Sequence, residues 1–148
     1  MELWFKRAKR NWLERIIAWR TIGPYSHVEA VIGPWAWSAV PGQGVRRIPL
    51  DELNPGDFDK IKVSRLDERA VENWFLEHEG ETYDVAGLLE LAAGKPSSDP
   101  RAWYCSECCC QAMKSGGAFP SIHSAGVHPF MLWAMTLARE DTLKEVSL

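Results

Sequence analysis

The strongest constraint on this chain is a change of hydrophobic period between residues 63 and 67. Before it, apolar residues fall in short runs cut by glycine and proline; after it, they recur at spacings of three and four. A strand repeats every second residue and a helix every ~3.6, so the two halves require different elements. Residues 27–32 (HVEAVI) read as a strand stopped by Gly33-Pro34, and 35–40 (WAWSAV) as a second one closed by Pro41-Gly42-Gln43-Gly44. Residues 45–48 make a third strand, and 58–63 (FDKIKV), with alternating apolar and polar residues, a fourth. The turn chemistry between the first three predicts an antiparallel meander.

After the change of period, residues 67–79 carry Val71, Trp74, Phe75 and His78 on one helical face, with Asp67 as N-cap. A further helix opens at 83–89, another spans 103–115 and stops at Gly116-Gly117, and the last occupies 128–139, beginning near Pro129. Residues 94–101 have loop composition. Ahead of the strands, residues 9–20 place Trp12, Leu13, Ile16 and Ile17 at helical spacing. Strands followed by helices predict an α+β fold, with helices packed on one face of a small antiparallel sheet.

Length and charge narrow the function. A chain of 148 residues forms one domain, 1–148, with a real core. A net charge of −3 supplies no basic field, so nucleic acid is not an expected partner. No apolar run approaches the roughly 20 residues of a spanning helix, and Glu14 argues for packing of the first helix rather than membrane contact. Charges follow the basic residues Lys6, Arg7, Lys9 and Arg10 without a small-residue cleavage site, so no signal peptide is expected. The four cysteines are Cys105, Cys108, Cys109 and Cys110. Neighbours on one helix cannot staple distant segments, which points to free thiols and a reducing, cytoplasmic setting.

A thiol attacks as its thiolate, and a helix N-terminus together with an imidazole promotes that form. Cys105 is expected about one turn inside a helix that emerges from a polar loop. Cys109 and Cys110 lie deeper, and Cys108 is rotated from Cys105 by about 60°. His27, at the start of a strand after Gly23-Pro24-Tyr25-Ser26, is the best base. Glu29 shares its face, and Ser38, on the adjacent strand, is near enough to bond the far ring nitrogen and fix the tautomer.

The stretch Pro24-Tyr25-Ser26-His27-Val28-Glu29, with Gly44-Val45-Arg46 after a hairpin, resembles the first motif of the permuted NlpC-type, papain-like cysteine hydrolases. That group includes YiiX-like proteins and short phage and prophage proteins. Residues 80–87 (GETYDVAG) resemble its middle motif, and Trp103-Tyr104-Cys105-Ser106-Glu107 its nucleophile motif. The order, His before Cys, is that of the circularly permuted branch. The resemblance implies a papain-like core in which a nucleophile helix packs on the sheet, with Cys105 as nucleophile and His27 as base. It implies Ser38 as the orienting group, where many relatives carry a carboxylate. It also implies a peptide or amide substrate, such as the stem peptide of cell-wall peptidoglycan, or a lipid acyl group in other members. Tyr25, Trp37 and Tyr104 are then expected to line the substrate groove, with no cofactor and no metal, in the cytoplasm or on a phage particle.

Two other readings compete. Cys105-Ser106-Glu107-Cys108 is formally a CxxC with His123 and His128 downstream, but a structural zinc site calls for a second paired motif. A binding or virion-structural domain that kept the fold and lost activity is the other, prompted by Ser38 in place of an acid.

Overall fold

In the computed structural model the described residues are 1–8, 23–86 and 101–145. The helix expected over 9–20 and nearly all of the loop expected over 94–101 lie outside them. The strands are β1 (Glu2–Arg7), β2 (Tyr25–Ile32), β3 (Trp35–Val40), β4 (Gly44–Pro49) and β5 (Phe58–Lys62), followed by helix α1 (Glu68–His78). Two short strands, β6 (Thr82–Tyr83) and β7 (Ala102–Trp103), precede helices α2 (Cys105–Ser115) and α3 (Pro129–Glu145). The fold is α+β: a five-stranded antiparallel sheet in the order β4-β3-β2-β1-β5, a small parallel β6-β7 pair, and three helices among the described residues.

The meander β2-β3-β4 forms as the turn chemistry predicts. β1 does not appear in the sequence reading, yet it joins β2 to β5, with Leu3 opposite both Ala30 and Ile61. Its continuous Leu3-Trp4-Phe5 run is buried on both faces, so it lacks the alternation that marks a half-exposed strand. Alternation nevertheless sorts the layers. Leu3, Phe5, Val28, Ala30, Ile32 and Trp37 face a core shared with the helices, through Val71, Phe75, Met113 and Leu132. Trp4, Val31, Ala36 and Phe58 form a smaller apolar cluster on the other face.

The start of α1 follows the expectation: the Asp67 carboxylate accepts from the Ala70 N–H at 3.0 Å and caps the helix. Three boundaries differ. Trp103 belongs to β7 and Tyr83 to β6, not to helices, because each completes the parallel pair that carries the chain into α2. α2 begins at Cys105 with Tyr104 as N-cap, so Cys105 is the first helical residue rather than one turn inside. α3 runs on to Glu145, past the expected end at residue 139. No helix among the described residues is long and apolar enough to cross a membrane.

β4 is tied to the β6 segment at its start. The Val45 N–H donates to Glu81 O at 2.9 Å and the Gly80 N–H to Val45 O at 2.8 Å. Gly44, at φ +71°, lies so close that a Cβ would fall 1.9 Å from Glu81 O, and only glycine fits.

Candidate active site at the start of helix α2

β2 and β3 are paired only from Ala30↔Trp37 to Ile32↔Trp35. Continued further, that register would set Glu29 opposite Ser38; instead the strands part. Helix α2 crosses the parting, where the Cys109 thiol lies 3.9 Å from Val28 O and 4.0 Å from Trp37 O. The N-terminal half of β2 therefore presents His27 to the first residue of α2.

His27 is within hydrogen-bonding reach of the Cys105 thiol. On its other side, Nε2 lies 2.9 Å from Glu29 Oε1, which leaves Nδ1 for the sulfur. Arg46 donates to both oxygens of Glu29, at 2.8 and 2.5 Å. The chain Arg46–Glu29–His27–Cys105 is nearly sealed from water, with Glu29 2% and the His27 side chain 19% exposed. Burial works against a charged imidazole, but the Cys105 and Glu29 charges and hydrogen bonds outweigh it and push His27 up to about 10. Glu29 is depressed: burial opposes its charge, and His27 and Arg46 more than compensate. The arrangement favours an imidazolium held between two anions at neutral pH.

The expectation for Ser38 is corrected. Its hydroxyl donates to Val28 O at 2.7 Å and bridges the parted strands instead of meeting His27. Glu29 takes that place because it lies two residues from His27 on the same face. The three residues expected to line a groove are also corrected. Trp37 is fully buried and stacks on Phe75 with ring centroids 5.3 Å apart. Tyr104 is 1% exposed and donates its hydroxyl to Ala125 O at 2.6 Å. Tyr25 is 4% exposed and donates to Asp59 Oδ2 at 3.0 Å. All three pack the core that supports the pair.

Cys105 differs from its neighbours by position. It opens α2, whose first intrahelical bond is Cys108 N–H to Tyr104 O, so the amides ahead point out of the helix end. Those amides and the helix dipole favour an anion there. Cys108 and Cys109 are fully buried, and burial first, then neighbouring negative charge, pushes their thiols well up. Burial pushes Cys110 up to about 11. No group of three or more His, Cys, Asp or Glu among the described residues is placed to hold a metal ion.

Sequence reasoning assigned no role to three residues here. Arg46 faces Ser38 across the β3–β4 hairpin, and that register is the signal that would have aimed it toward Glu29. Tyr83 lies near Cys105; burial, and then the Cys105 and Asp84 charges, hold its phenol well above the usual range. Glu107, at the third position of α2, accepts from the Tyr104 backbone N–H, while its Oε2 is buried without a partner. Burial, reinforced by Asp84, pushes Glu107 up to about 7.

No protein-family model matches the chain, and a search of the curated proteins finds no match.

Proposed function

We propose that this chain is a thiol-dependent hydrolase of the permuted NlpC, papain-like kind, acting by acyl transfer through Cys105 with His27 as its acid and base. One observation carries the proposal: His27 is held between the Cys105 thiol and a Glu29 carboxylate that Arg46 fixes in turn. With His27 pushed up to about 10, the resting pair is thiolate and imidazolium. The thiolate attacks the carbonyl of an amide or ester, and the oxyanion that forms is met by backbone amides at the start of α2. His27 gives its proton to the leaving amine or alcohol as the acyl–sulfur bond remains. Neutral His27 then takes a proton from water, hydroxide adds to the thioester, and the acid leaves as the thiolate returns. Glu29 stabilises the imidazolium and fixes the tautomer, which supplies the orienting carboxylate that Ser38 does not.

The test is the pH dependence of Cys105 alkylation by iodoacetamide, followed on the Cys105 peptide by mass spectrometry. At pH 6 Cys105 should react on the order of 100-fold faster than a free cysteine, because a free thiol is almost fully protonated there. His27→Gln should remove most of that advantage. A Cys105 that titrates like a free thiol would overturn the proposal.

A further inference from the structure

On the side of His27 away from the helices, the outer face of the sheet holds a cavity of about 350 Å³. Its polar lining is Lys6 from β1, Ser26, His27 and Glu29 from β2, and Arg46 from β4; Phe58 and Leu53 close one end. The cavity thus touches the reacting imidazole directly. Three basic side chains line it against one carboxylate, Glu29, which Arg46 and His27 already engage.

Ser26 adds an independent observation. It is 7% exposed, lines this cavity, and its buried Oγ has no hydrogen-bond partner. Leaving a buried hydroxyl unpaired costs about 1–3 kcal/mol, so such a group calls for a ligand to complete it. A hydroxyl donor between cationic side chains suits an anion, and the planar fork of a carboxylate can take a hydroxyl and an ammonium together.

We propose that this cavity is the part of the substrate site that receives a free carboxylate, so that the scissile amide or ester lies close to an anionic group. Ser26 and Lys6 are the specificity-determining residues, with Phe58 and Leu53 covering the apolar carbon chain between carboxylate and carbonyl. This rests on Cys105 and His27 being the reacting pair, and it narrows the substrates to acyl compounds or peptides with a nearby acid group.

Iodoacetate and iodoacetamide test it, because both alkylate a thiolate with loss of iodide and differ only in carboxylate against carboxamide. The iodoacetate-to-iodoacetamide rate ratio at Cys105 should exceed the same ratio for glutathione about tenfold, as expected for one charge-assisted contact. Lys6→Gln and Ser26→Ala should each lower that ratio severalfold, whereas Lys62→Gln, at the exposed far end of β5, should leave it unchanged. A ratio equal to that of glutathione, with fast iodoacetamide reaction, overturns the carboxylate site and leaves the hydrolase proposal standing. A raised ratio indifferent to both substitutions assigns the preference to His27 alone and also overturns it. Slow reaction with both reagents overturns the hydrolase proposal, and this one with it.

Discussion

At the residue scale the site depends on a carboxylate kept ionised in a nearly dry place. Glu29 is 2% exposed and holds its charge through Arg46 on one side and His27 on the other. Removing one partner of a buried pair leaves a charge uncompensated, which is among the costliest single changes. Arg46→Met should therefore destabilise the fold by about 3 kcal/mol in urea unfolding, and adding Glu29→Gln should recover part of that loss. Additive losses would mean that the two side chains do not act as a pair. The sequence made Cys105, His27 and Glu29 legible, because position before a helix and alternation along a strand are local properties. The choice of Ser38 as orienting group assumed that β2 and β3 stay paired as far as His27. They part at Ala30↔Trp37, a long-range consequence of α2 crossing the sheet that no local pattern records. Trp37 failed as a groove residue for a simpler reason: it alternates with Ser38 and so faces the helices.

At the scale of elements, the first turn of α2 combines a nucleophile position with a buried acid. Glu107 caps the helix through the Tyr104 N–H, but burial and Asp84 push its carboxyl up to about 7 from an ordinary value near 4.5. Tyr104, Cys105 and Cys110 are the other titratable groups close to it, and none brings positive charge. The folded protein then holds a proton that the unfolded chain releases between these values, so stability falls as pH rises from about 4.5 to about 7. Glu107→Gln keeps an oxygen to accept from Tyr104 and removes the titration. The variant should match the wild type near pH 5 and exceed it by about 2 kcal/mol at pH 8, measured by urea unfolding at the two values. An equal gap at both would assign the effect to packing. The start of this helix was legible to within a turn; β6 and β7, two residues each, were not, since strands that short carry no period to read.

Across the whole molecule, two layers meet at one ionic contact. The helical layer contributes Cys105, the sheet contributes His27, and folding alone brings together residues 78 positions apart. The order of strands and helices made this layering legible, whereas β1 had to be seen in place, since only its pairing with β2 and β5 reveals it as a central strand. Because the contact crosses the layers, its charge state feeds into global stability. His27 rises from 6.5 to about 10 on folding, chiefly through Cys105 and Glu29 acting against burial. A raised folded value means that the native state binds the proton more tightly. The resulting stabilisation is fully present below about 6.5 and is lost as pH climbs toward about 10. The melting temperature should consequently fall through this window in the wild type. It should fall less in Cys105→Ser, which lacks the thiolate, and least in His27→Gln. Parallel curves for the three proteins would show that the sheet and the helical layer are not joined through this pair, leaving apolar packing alone to hold them together.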